Sequence, residues 1–239
     1  MTGELRDIWV YLAASPLLHL ALTLAAFQAA AWAYARAGRT PLLNPVLVAV
    51  ALIAGTLWAT GTGYPRYFEG AQFVHFLLGP ATVCLAVPLY RQIDRVRRSA
   101  PALLAAILSG SAAAAGSAVG IAWALGGARE TLVALAPKSV TAPVAMGITE
   151  TLGGLPSLTA VLVILTGVVG AMLGPPLLRL LGVRDWAARG VAMGTASHGI
   201  GTARALESRE VAGAFAGLAM GLNALATALL LPLAWRLFG

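Results

Sequence analysis

The sequence predicts an all-α polytopic membrane protein of about seven to eight transmembrane segments, since a spanning helix takes about 20 residues. Three observations carry that prediction. The chain is 239 residues long, 59% hydrophobic and only 10% charged, with a mean hydropathy of +0.83. A soluble domain carries about a quarter charged residues. Apolar stretches of near-spanning length follow one another with short connections. Several of these stretches are interrupted by Pro, Gly and polar residues, so broken or re-entrant helices are expected among them. The chain reads as a single integral membrane domain over 1–239, with no room for a separate soluble domain.

Taken in order, the first span covers 16–35 and closes at Arg36 to Arg39. It reads as a retained span, because a secretory signal would begin basic and end at a small-residue cleavage site. The second span, 43–61, opens on Asn44-Pro45 and closes on Gly61-Thr62-Gly63. The third, 71–90, carries Gly79-Pro80 near its middle and ends in the arginine run Arg91 to Arg98. The fourth covers 101–125. The fifth segment, 131–152, holds Pro137-Lys138-Ser139-Val140-Thr141-Ala142-Pro143. The sixth span covers 156–179. The seventh segment, 187–206, holds Ser197-His198-Gly199-Ile200-Gly201-Thr202. The last span covers 211–235.

The charges orient these segments. Sixteen cations face nine anions, for a net charge of +7. In a lipid-soluble chain such an excess reflects basic cytoplasmic loops, so nucleic acid is not expected as a partner. Arg91, Arg95, Arg97 and Arg98 make the loop after span three cytoplasmic, and Arg36 and Arg39 fall on the same side. Arg179, Arg184 and Arg189 ask for the same side after span six. That is met only when segment 129–153 dips into the membrane and returns, so a re-entrant or broken segment is expected there.

Residue types also predict irregularity. Pro80, Pro137 and Pro143 remove backbone donors, and Gly199 and Gly201 loosen segment seven. These five positions are the expected helix breaks. Irregular backbone is tolerated at membrane depth only where it lines a protein cavity, so the broken segments point to an internal site. A weak repeat relates Leu78-Gly79-Pro80-Ala81-Thr82-Val83 to Leu135-Ala136-Pro137-Lys138-Ser139-Val140. Two triplets of helix, broken helix and helix, in halves of about 40–126 and 154–239, suggest the inverted-repeat plan of secondary transporters.

Lys138 is the one lysine of the chain. A charge at membrane depth is expensive. A half-helix starting after Pro137, with Ser139 and Thr141 beside it, would aim free N–H groups at an anion. Snorkelling to the interface is the bland alternative. His198 lies among small residues that let backbone approach a ligand, and it can bind a carboxylate or carry a proton. A satisfied packing histidine is the plain alternative. Arg204 and Glu207 can pair on one helix face at a solvated end. Asn44 and Asn223 fit interhelical hydrogen bonding and substrate binding equally well. The single cysteine excludes an intramolecular disulfide, one cysteine and three scattered histidines offer no metal cluster, and no cofactor is expected. No nucleophile elbow, phosphate-binding loop or zinc-protease motif is present, so the chain does not read as an enzyme.

These same segments carry a resemblance. Leu78 to Tyr90, Pro137 to Ala145, Gly153 to Ala160 and Ser197 to Glu207 resemble the LrgB/CidB family, over nearly the whole chain. The family is described as antiholin-like or holin-like, controlling murein hydrolase activity and lysis beside a small LrgA/CidA membrane partner. Other members are described as carriers, including a plastid glycolate/glycerate translocator and bacterial pyruvate systems. The resemblance therefore implies a multi-pass protein of the cell inner membrane; a homo-oligomer, a dimer, is expected because transporters of this size often pair. The expected activity is secondary transport of small monocarboxylates with proton coupling; the alternative is a holin-like regulator. Lys138, Ser139, Thr141, Ser197, His198, Gly199, Thr202 and Thr82 are the expected substrate contacts, and His198, Lys138 and Glu207 the expected proton carriers.

Overall fold

The computed structural model describes residues 15–38, 40, 43–77, 80, 83, 84 and 86–238. Ten helices, and no strand, occur among them. The chain divides into two compact units, Met1–Cys84 and Leu85–Gly239. Thr82 and Gly79 lie outside the described residues.

The first unit holds α1 (Pro16–Arg36), α2 (Pro45–Thr60) and α3 (Tyr64–Phe76). The Asn44 side chain accepts from the Val46 and Leu47 amides at 2.9 and 3.3 Å and starts α2, so this asparagine is a helix cap. Gly61 ends α2 at φ 66°, left-handed backbone that glycine adopts freely. α3 packs on α1 through Gly70, where a Cβ would collide with the Pro16 carbonyl. The Tyr67 hydroxyl meets Thr23 Oγ1 at 2.8 Å, and its ring meets buried His19 edge-on.

The second unit begins with α4 (Ala86–Tyr90) and α5 (Ile93–Ala124). α5 starts eight residues before the span expected at 101, so Arg95, Arg97 and Arg98 are helical rather than loop residues. Arginine is a good helix former, and the run is anchored at this end. Arg91 pairs with Glu210 at 2.9 Å and Arg95 pairs with Asp185. The Asp185 carboxylate also accepts from the Ala188 amide at 2.9 Å. That backbone bond, more than the Arg95 guanidinium, holds its carboxyl below the usual carboxylate range.

Segment five is not one helix. α6 (Arg129–Leu135) and α7 (Ala142–Thr151) flank an irregular stretch, 136–141. At 1.5 Å per residue they are about 10 and 15 Å long, each too short for a ~30 Å hydrocarbon core. They form a hairpin. Thr149 of α7 bonds Thr159 of α8 (Pro156–Leu180) through their hydroxyls at 2.8 Å. Further along α8, Val163 packs on Val140 and Ala145. A Cβ on Gly154, just before α8, would lie 2.5 Å from Val133 Cγ1 of α6. Thus α7 runs against α8, while α6 starts and α7 ends at the same level.

Segment seven also reverses. α9 (Trp186–Ser208) is broken by non-helical backbone at Ser197 (φ −132°, ψ 18°) and His198 (φ 41°, ψ −133°). Before the break, Gly190 and Gly194 press on the Ala212 and Ala216 carbonyls of α10 (Glu210–Phe238), so this arm runs parallel to α10. After it, Thr202 lies 3.8 Å from Met220 and Leu206 abuts Gly213, so the second arm runs antiparallel. Between the arms, a Cβ on Gly201 would come within 2.5 Å of the Met193 carbonyl. The break falls on Ser197 and His198, not on Gly199 or Gly201 as expected. Gly201 instead allows the two arms to close. Pro143 breaks nothing either, because it occupies the first turn of α7, where its missing N–H has no helical acceptor to lose.

Among the described residues, α1, α5, α8 and α10 are long and apolar enough to cross a bilayer, and α2 is a shorter apolar helix. The expected count of seven to eight spans is therefore not reached by helices of spanning length. Segment five, expected to be re-entrant or broken, is a hairpin, and so is segment seven, which reads as a span. The third divides into α3 and α4 around residues that are only partly described.

Candidate functional site

The two hairpins approach from opposite ends and their tips meet. The second unit makes this geometry unambiguous, because α8 touches both. The first part of α8 runs beside α7, from Thr159 to Val163. The later part runs beside the first arm of α9, with Gly167 facing the His198 ring, Gly170 facing Ser197 and Gly174 facing Met193. A Cβ at Gly167 or Gly170 would collide with the His198 ring or the short Ser197 side chain, whereas at Gly174 it would meet the flexible end of Met193. The spacing of three and four residues puts all three on one face of α8.

Asn223 joins the tips. It stands at the midpoint of the 29-residue α10 and is completely buried. Its Nδ2 donates to the Ser139 carbonyl at 3.3 Å and to the Thr195 carbonyl at 3.0 Å. Carbonyl oxygens only accept, so this fixes the orientation of the amide. Both amide hydrogens are thereby used, and Asn223 Oδ1 is left without a partner. Thr195 Oγ1, 5% exposed as a residue, is likewise buried and unpartnered. Buried polar groups are normally satisfied, so two without a protein partner close together set this junction apart from the surrounding core.

His198 Nε2 lies 2.9 Å from the Val163 carbonyl. With that nitrogen protonated it donates there, and Nδ1 is left as acceptor. The Thr202 hydroxyl donates to the His198 carbonyl at 2.8 Å. Ser197, His198 and Thr202 are all buried, and Gly199 is half-buried. On the other tip, Ser139 is buried and Lys138 is half-buried, with its Nζ 3.4 Å from Ser139 Oγ. Among the described residues no carboxylate pairs with Lys138. Thr141 is the N-cap of α7 but makes no side-chain cap bond. The half-helix starts at Ala142, five residues later than the start expected at Pro137.

Two half-helices, α7 and the second arm of α9, therefore begin at the meeting point. Helix N-termini carry free N–H groups and a partial positive charge. Together with the Lys138 ammonium and the hydroxyls of Ser139 and Thr141, they make the junction suited to an anion of carboxylate size. Glu207 is elsewhere. It lies at the exposed end of α9, paired with Arg204 at 3.0 Å. Pro80 is exposed and helical. The sequence reading singled out Lys138, Ser139 and His198 as unusual chemistry in apolar surroundings. It did not single out Thr195, nor find the Asn223 bridge, because nothing in a linear pattern fixes a distance between residues 139, 195 and 223.

The fold and junction define an integral membrane protein built on paired hairpins between spanning helices. The chain belongs to the LrgB family: the model of the LrgB-like family matches residues 23–237. The Bacillus subtilis (strain 168) protein YxaC is 38% identical over 217 residues, covering 91% of this chain and 94% of that protein. Holin-like protein CidB of Staphylococcus epidermidis is 35% identical over 83% of this chain and 86% of its own. Holin-like protein CidB of Staphylococcus aureus (strain Mu50) is 34% identical with the same coverage. No solved structure matches. The chain is thus a multi-pass membrane protein of this family.

Proposed function

We propose that the protein is a proton-coupled secondary carrier of small monocarboxylates, of the glycolate, glycerate and pyruvate class. The observation that carries the reading is the meeting of two hairpin tips, each starting a half-helix, at the buried midpoint of α10. Broken helices that meet at the midplane are the usual substrate sites of inverted-repeat carriers. Lys138, Ser139 and Thr141 hold the carboxylate. Ser197, His198, Gly199 and Thr202 take the second oxygen, and His198 with Lys138 handles the proton. Thr82 as a further substrate contact and Glu207 as a further proton carrier belong to the same proposal. The arginine-rich end, with Arg91, Arg95 and Arg184, faces the cytoplasm by the positive-inside rule. A dimer, and association with a small LrgA/CidA-like membrane protein, belong to the same proposal.

A holin-like role is the second reading. The printed names of the Staphylococcus relatives favour it more directly than they favour transport. A pore-forming or lysis-regulating protein has no evident need for a lone lysine and a strained histidine on facing tips. Purified protein in liposomes separates the two. The carrier reading expects saturable uptake of labelled glycolate or pyruvate driven by a proton gradient, abolished in Lys138→Ala and His198→Ala. The holin-like reading expects release of an entrapped neutral dye, unaffected by those substitutions.

A further inference from the structure

We propose that the cavity between α5 and the first arm of α9 is a water-filled vestibule, open at the arginine-rich end, through which small anions reach the hairpin tips. The cargo rests on the carrier reading; the vestibule does not. The cavity measures about 690 Å³ and lies wholly within the second unit. It is framed by two facing stripes. On α5, Arg95, Ser99, Ala102, Ala106 and Gly110 recur every three or four residues, which is one helix face about 22 Å long at 1.5 Å per residue. On the α9 side the stripe runs from Asp185 through Ala188 and Ala192 to Thr195.

The chemistry changes along this path in an ordered way. Its mouth is charged, with Arg95 and Asp185 paired across it and the Arg95 guanidinium 5.5 Å over the Phe215 ring. Its walls are mostly small and apolar, with Ala102, Ala106, Ala188 and Ala192 facing the space and Ser99 the one hydroxyl near the mouth. Its floor is polar. Thr195 closes it opposite Gly110, where a Cβ would stand 3.2 Å from Thr195 Cγ2. Behind the floor, the Thr195 carbonyl is already bonded by Asn223, and the Thr195 hydroxyl is buried without a partner. A groove meant for lipid tails needs no charged mouth. Exposed Arg97 and Arg98 near the mouth add a basic rim that concentrates anions there.

A second cavity of about 830 Å³ comes from the other end, between α5 and α10, with Trp123, Arg129 and Trp235 at its outer part. It reaches the Ser111–Thr227 hydroxyl contact of 3.1 Å, one residue along α5 from Gly110. The arginine-rich side alone reaches Thr195.

Thiol labelling of the full chain in oriented vesicles tests the vestibule. Cys84, which is exposed, is first replaced by Cys84→Ser. A membrane-impermeant, negatively charged maleimide is then applied to either face of Ala192→Cys and Ala106→Cys. Arg184→Cys reports the arginine-rich face and Leu165→Cys the lipid-facing surface of α8. The vestibule requires that Ala192→Cys and Ala106→Cys react from the Arg184 face and not from the other, that Leu165→Cys stays unmodified, and that Arg97→Ala with Arg98→Ala slows the reaction. Failure of both wall cysteines to react from the face where Arg184→Cys reacts, or reaction only from the opposite face, overturns it. Labelling without uptake of any monocarboxylate sinks the carrier reading alone; uptake without labelling sinks the vestibule alone.

Discussion

Asn223 is the residue on which the junction depends most. Truncating it leaves the Ser139 and Thr195 carbonyls buried and unpaired, and an unsatisfied buried polar group costs about 1–3 kcal/mol. Asn223→Ala is expected to lower the unfolding midpoint of the detergent-solubilised protein sharply. Asn44→Ala, which removes only a helix cap, should lose about 1 kcal/mol. His198 makes a different prediction. Its φ of 41° is costly for any residue with a Cβ, about 1–3 kcal/mol. His198→Gly should therefore be more stable than His198→Ala, although both lose the bond to the Val163 carbonyl; equal midpoints would mean that the turn is unstrained. Lys138 and His198 were legible in the sequence because each is a polar group out of keeping with its surroundings. Asn223 was legible only as a buried amide needing some partner.

At the scale of elements, close backbone approach governs α9 and α10. A Cβ on Gly190 or Gly194 would strike the Ala212 or Ala216 carbonyl, whereas Gly116, Gly120 and Gly221 face open space. Gly194→Ala should destabilise the protein by about 1–3 kcal/mol, the usual range for overpacking. Gly116→Ala should be neutral or slightly stabilising in the same thermal assay. The Arg95–Asp185 contact gives a pH prediction. Asp185 has a lowered carboxyl pKa in the folded protein, so its contribution is present above the unfolded value and lost as pH falls through the folded one. Stability should not change through this group between about pH 5 and 8, and should fall only below the ordinary carboxylate range. Because the pair is exposed, Asp185→Asn should cost under about 1 kcal/mol. The charge pattern anticipated that segment five dips and returns. It held the same message for segment seven, where Arg184 and Arg189 lie at its start and Arg204 and Arg209 at its end. Span-like length outweighed that signal, and the reversal needed the positive φ at His198, which no composition predicts.

For the whole molecule, the membrane class followed from charge scarcity, but the number of crossings did not. A hairpin and a span have the same length and hydropathy in sequence, and only packing against α8 and α10 separates them. The resulting second unit has hairpins entering from opposite ends, a charged vestibule on one side and a separate cavity on the other. Such a layout suits a carrier that exposes one site alternately. Equilibrium binding of labelled glycolate, glycerate and pyruvate to the purified protein addresses that claim without requiring a gradient, a partner or a membrane. The account predicts saturable binding of at least one of these acids, lost in Lys138→Ala and His198→Ala and retained in Glu150→Ala. Absence of saturable binding by all three, or binding that survives both substitutions, would contradict it.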